Sequence, residues 1–200
     1  MKSLAVCLAL TMGTHLCFAG PPLFNGKDLS NWEIKGKAVW TVENGIITGG
    51  QDGDPKKAGL LISKENYSDF DLSFEFEIDE HGKYNSGVYF RLQPSIKGPR
   101  LQLNLGRGVA DEPVGLYLDD WLDKGDATDQ YRRPGEWNHI RLKVEGARIE
   151  VWLNGEKIVD FKDPVLLNNY LIPGKIAFQT YGAEGHAGWV KFRKLELQNL

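Results

Sequence analysis

The stretch RIEVWLNGEKIVDF, residues 148–161, reads as two short strands folded back around Asn154-Gly155. An Asn-Gly pair suits the type I′ hairpin turn, which needs positive φ at both central residues and matches the twist of the flanking strands. The same alternation extends outward from this hairpin. HIRLKVE (139–145) sets Ile140, Leu142 and Val144 against His139, Arg141, Lys143 and Glu145. DLSFEFEID (71–79) sets Leu72, Phe74, Phe76 and Ile78 against Ser73, Glu75, Glu77 and Asp79. Further runs are AVWTVENGIITGG (38–50), turned at a second Asn-Gly, NSGVYFRLQ (85–93), LQLNL (101–105), KIAFQT (175–180) and WVKFRKLELQ (189–198). Period-two alternation marks strands with one packed and one wet face. Many such strands joined by Gly- and Pro-containing turns predict an all-β sandwich or jelly roll of antiparallel sheets.

The first nineteen residues read differently. Lys2 precedes a compact apolar run from Leu4 to Met12, and Cys17-Phe18-Ala19 has the small-x-small form of a cleavage site. This is a secretory signal peptide by pattern, too short to span a bilayer. A single domain over 20–200 and a secreted or periplasmic location follow as expectations. Both cysteines, Cys7 and Cys17, lie in the leader, so no disulfide staples the mature chain. A core must therefore supply stability, and about 180 residues suffice to bury roughly 70% of the unfolded surface. The formal charge of −3, with no basic block, argues against a nucleic-acid partner. No second long apolar run predicts a membrane span. Nucleophile-elbow, phosphate-loop and paired-histidine metal motifs are absent from the sequence.

Two turn-rich stretches, 49–58 and 119–135, are long for a compact sandwich and are candidates for function. The second carries Asp119, Asp120, Asp123, Asp126 and Asp129 around Trp121. Three readings stand: a solvated loop with Trp121 at the core edge, a sugar rim in which the indole stacks on a pyranose, or a calcium site. No other cofactor is expected.

Several stretches, in order, carry a resemblance: LFNGKDLSNW (23–32), WTVENGIITGG (40–50), YSDFDLSFEFEI (67–78), NSGVYFR (85–91), GLY (115–117), PGEWNHIRLKVEGARIEVWLNGEKIVDF (134–161) and GKIAFQTYG (174–182). Together they resemble the 3-keto-disaccharide hydrolase family over nearly the whole chain after the leader. The resemblance implies a concanavalin A-like jelly roll, a carbohydrate ligand on one sheet, and cleavage of sugars oxidised at carbon 3. A ketone there acidifies the neighbouring C–H, so the chemistry needs a base, an acid for the leaving group and donors for the enolate.

Matched to that pattern, Arg91, Asn85, Gln102 and Gln179 are the expected sugar-binding residues, with Arg91 polarising the keto oxygen. Trp121, Tyr181 and His186 are further candidates for substrate contact. Glu77 and Asp120 lead as the proton-moving carboxylate. Glu75 stands two residues from Glu77 on the same strand face, roughly 7 Å away along the backbone. Arg100 and Tyr181 occupy the places of a family glutamate and histidine. Three functions are therefore open: a glycoside-cleaving enzyme, a non-catalytic glycan-binding module of the same fold, or a purely structural interaction domain.

Overall fold

The computed structural model describes residues 22–51, 58–79, 84–94, 97–107, 112–182 and 188–200. The leader, 1–19, lies outside the described residues, as does His186. Two seven-stranded sheets form the molecule. The first contains β1 (Trp32–Gly36), β4 (Gly59–Ser63), β6 (Tyr84–Leu92), β7 (Gln102–Arg107), β8 (Val114–Tyr117), β9 (Trp121–Asp123) and β13 (Lys175–Gly182). Its spatial order is β1-β4-β13-β6-β7-β8-β9. The second contains β2 (Val39–Glu43), β3 (Ile46–Gln51), β5 (Phe70–Ile78), β10 (Asn138–Glu145), β11 (Arg148–Leu153), β12 (Glu156–Lys162) and β14 (Gly188–Asn199). Its order is β12-β11-β10-β5-β14-β3-β2. Every paired strand is antiparallel. The fold is the all-β jelly-roll sandwich that the alternation predicts. A 3-10 helix, Leu166–Tyr170, is the one helical element among the described residues.

Both Asn-Gly turns form as expected. Asn154 and Gly155 have φ of 52° and 95°, and Asn44 and Gly45 have 51° and 75°. The central strand β5 buries every second residue, Phe70 through Ile78. Its phenylalanines meet the facing sheet: Phe74 packs edge-on against Phe178 at 5.5 Å between ring centroids, and Phe178 reaches Phe192 at 4.3 Å. Each buried ring contributes about 2 kcal/mol by area alone.

The strands β1, β4, β8 and β9 go beyond the sequence reading. Of these, β9 lies inside the stretch read as a long loop.

Two bulges shape the first sheet. On β7, Asn85 and Gly87 of β6 oppose Arg107 and Asn104, so one extra residue is inserted beside Gly106, whose φ is 81°. On β6, Tyr89 and Leu92 oppose Ala177 and Lys175 of β13. Arg91 takes a φ of 49° in this second bulge. An inserted residue inverts the in–out alternation downstream of it. Leu92 thus joins Ile62, Ala177, Leu60 and Tyr89 in a small apolar cluster on the outer face, apart from the main core.

Candidate functional site

On the outer face of the first sheet, three adjacent strands, β13, β6 and β7, bring polar side chains together. Gln179 and Tyr181 come from β13, Asn85 from β6, and Gln102 and Asn104 from β7. The inward neighbours of these residues, Phe178, Val88, Leu103 and Leu105, are fully buried, so period two turns the amides outward. With Glu112, Tyr117 and Trp121 they line one cleft of about 360 Å³.

The floor is a hydrogen-bonded amide layer. Gln102 Nε2 donates to Gln179 Oε1 at 2.8 Å, crossing β6 above Gly87. Asn85 Nδ2 donates to Asn104 Oδ1 at 3.2 Å and to Glu112 Oε2. Asn104 Nδ2 donates to the Pro113 carbonyl at 3.0 Å and reaches Glu112 Oε2 at 3.5 Å. Glu112 is thus a carboxylate held in place by two side-chain amides at the cleft's edge. The Gln179 amide nitrogen donates to no described residue, leaving its N–H groups for a ligand.

Aromatic rings form the walls. Tyr117 and Trp121 meet edge to face at 5.4 Å and 78°. Tyr117 Oη donates to the Asp119 carbonyl at 3.1 Å. Trp121 is carried by β9, which pairs with β8, and the chain leaving it at Asp123–Lys124 comes close because Gly115 has no side chain; an added Cβ there would lie 2.6 Å from the Asp123 carbonyl oxygen. Tyr181, 42% exposed, closes the side nearest β13.

Five of the residues expected from sequence (Asn85, Gln102, Trp121, Gln179 and Tyr181) therefore share one cleft. Others lie elsewhere. Arg91, expected to polarise a substrate oxygen, is 2% exposed and turned into the end of the sandwich. Its Nη2 pairs with Asp69 at 2.7 Å, its Nε donates to the Ser68 carbonyl at 2.9 Å, and its Nη1 donates to the Gly146 and Tyr170 carbonyls. Burial lowers its pKa, and Asp69 opposes that shift. The β6 bulge is the reason: a residue that alternation puts on the wet face is rotated inward, where it ties three loops together.

Glu77 and Glu75 sit on β5, whose outer face belongs to the other sheet. Glu77 lies 3.8 Å from Lys191 Nζ, and Glu75 binds Arg193 and Lys194 at 2.6 and 2.7 Å. The two packed sheets, about 10 Å apart, lie between both carboxylates and the cleft. The Asp120 carboxylate accepts the Trp121 N–H at 2.8 Å and lies beside the cleft without lining it.

The acidic loop organises itself. Asp126, 2% exposed, accepts the backbone N–H groups of Gln130, Tyr131 and Arg132. Asp129 holds Arg132 in a two-pronged contact at 2.7 and 3.0 Å. These carboxylates serve backbone and guanidinium, and no group of three or more potential metal ligands occurs among the described residues.

Glu112, Asn104 and Tyr117 went unremarked as site residues in the sequence. Asn104 had a signal, since it shares the polar face of Gln102 by period two. Tyr117 lies in the GLY stretch of the resemblance. Glu112 stands outside every alternating run, and only the chain's return beside β7 brings it in.

The family model of the 3-keto-alpha-glucoside-1,2-lyase-like domain matches residues 21–198. The chain belongs to this family. No curated protein matches its sequence. Solved structures similar to this lyase-like domain include a "putative glycosyl hydrolase" from Parabacteroides distasonis, 24% identical, covering 89% of this chain and 92% of that one with a TM-score of 0.64. A Bacillus subtilis protein of unknown function with a galectin-like fold is 15% identical, covering 90% and 96% with a TM-score of 0.68. The carbohydrate binding module CBM66 from Bacillus subtilis is 17% identical, covering 84% and 96% with a TM-score of 0.57. At these identities the likeness establishes the jelly-roll fold. No helix among the described residues is long and apolar enough to cross a membrane.

Proposed function

We propose that this lyase-like domain is a secreted or periplasmic enzyme that cleaves 3-keto-glycosides in the Glu112 cleft. The observation that carries the reading is the cleft's composition: one amide-held carboxylate beside a floor of amides, between walls of tyrosine and tryptophan. Aromatic rings stack on the apolar faces of sugars, and amides both donate to and accept from hydroxyls. The family's name and the carbohydrate-binding module among the structural relatives support a sugar ligand.

A ketone at carbon 3 makes the C2 proton acidic. Glu112 takes that proton, and the electron pair is held as an enolate whose oxygen accepts N–H groups from Gln179 and Gln102. The enolate collapses to a C1–C2 double bond and expels the glycosidic oxygen from carbon 1. The Tyr181 hydroxyl, at the cleft's other side, gives the departing oxygen its proton. Water adding across the new double bond yields the free 3-keto sugar.

Incubation of the mature protein with 3-keto-trehalose or 3-keto-sucrose tests this. Release of a monosaccharide is expected, and Glu112→Gln lowers its rate by about 10²- to 10⁴-fold. No turnover of any 3-keto-glycoside by the folded protein overturns the reading.

A second function, a glycan-binding module without catalysis, draws on Arg100 and Tyr181 standing where relatives place a glutamate and a histidine. Binding of plain oligosaccharides with no cleavage of their 3-keto forms would favour it.

A further inference from the structure

A second cleft, of about 390 Å³, opens beside the first and is lined by Gln93, Lys97, Arg100, Leu101, Asn169 and Tyr170, among others. Lys97 and Arg100 lie in the connection between β6 and β7, just before the amide floor begins. Among the described residues no carboxylate lines this cleft; Arg91 also lines it but is paired with Asp69, whereas neither Lys97 nor Arg100 forms a salt bridge with a described residue. The contrast with the second sheet is sharp. There, Arg141, Arg148, Lys157, Arg193 and Lys194 all pair with acidic side chains. Tyr170 Oη donates to the Pro99 carbonyl at 3.2 Å and fixes one rim.

Leu101 of this cleft and Gln102 of the first are consecutive residues, so the two clefts follow one another along the chain. Arg100, Gln102 and Asn104 follow one another at every second position. Arg100 stands two residues before β7, and an extended rise of about 3.3 Å per residue keeps its backbone within about 7 Å of that of Gln102 and about 13 Å of that of Asn104. A ligand on the amide floor that extends toward Arg100 meets Lys97 and Arg100 in a cleft that no described carboxylate lines.

We infer that Lys97 and Arg100 form a subsite for an anionic group, a uronate carboxylate or a sulfate ester, on the part of a glycan that extends beyond the Glu112 cleft. The inference rests on the carbohydrate reading of that cleft but not on catalysis. Arg recognises such oxyanions with paired N–H donors, and Lys adds a point charge.

Calorimetric titration of the mature protein with matched oligosaccharides tests it, one neutral, one ending in glucuronate and one bearing a sulfate ester. Acidic forms are expected to bind about tenfold more tightly than the neutral one at low salt. Whether carboxylate or sulfate leads identifies the group. Arg100→Gln with Lys97→Gln abolishes the preference and leaves neutral binding unchanged, whereas Arg100→Lys retains part of it. Equal affinity for all three sugars overturns the subsite while sparing the carbohydrate reading. An acidic preference that survives the double substitution also overturns it. Absence of binding by every sugar overturns both.

Discussion

Gln102 and Gln179 join across a strand that belongs to neither. The 2.8 Å bond between them passes over Gly87 of β6, and any Cβ at position 87 would overlap Gln102 Nε2 and lie 2.9 Å from its Cδ. Glycine here makes the cleft floor possible. Gly87→Ala is expected to leave the sandwich folded at a cost of about 1–3 kcal/mol, the usual range for overpacking. Affinity for sugar should fall sharply with it. Thermal melts and titration of the same sample check this; unchanged affinity would mean the amide bridge is not part of the site.

Arg91→Ala separates a structural tie from a catalytic group. The substitution leaves the Ser68, Gly146 and Tyr170 carbonyls and the Asp69 carboxylate without their shared partner. The stability loss is expected to be about 3 kcal/mol or more, read from urea denaturation. The variant that remains folded should bind sugar as the parent does. A variant of full stability with lost binding would return Arg91 to the site.

Asp126→Ala removes the acceptor for three backbone N–H groups in the loop that precedes β10. A loss of about 3 kcal/mol is expected, because buried donors left unpaired carry their full desolvation cost. The parent's melting temperature should not change on adding a calcium chelator, since Asp126 and Asp129 are already engaged by backbone and guanidinium; a drop would favour the calcium reading.

Glu75 ties stability to pH. Burial alone would raise its carboxyl pKa, but hydrogen bonds from Lys194 and Arg193 outweigh burial and hold it below its ordinary 4.5. A carboxyl whose pKa is depressed on folding contributes stability above its unfolded pKa and loses it as pH falls through the folded value. The parent should therefore lose more stability below pH of about 4.5 than Glu75→Gln does. Urea midpoints measured across that range check it, and parallel curves for the two proteins would exclude the linkage.

Much of the cleft was legible before any coordinates. Gln102 and Gln179 fall on polar faces of their strands, Asn85 matches the family pattern, and Tyr181 stands where that pattern has a histidine. Alternation assigns a face, however, and not a sheet. Glu75 and Glu77 alternate as cleanly as Gln102 and Asn104, yet they face outward on the opposite side of the sandwich. Asp120 lies in the loop beside the cleft, and its carboxylate accepts the backbone N–H of Trp121.

The sequence by itself determined ten of the fourteen described strands, the two Asn-Gly hairpins, the buried phenylalanine face of β5 and the family, because period two and turn chemistry are local properties of neighbouring residues. Tertiary structure alone decided the rest. Which strands become neighbours depends on contacts between distant segments. One extra residue in β6 turned Arg91 from the wet face into the interior, and the return of the chain beside β7 set Glu112 against Asn85.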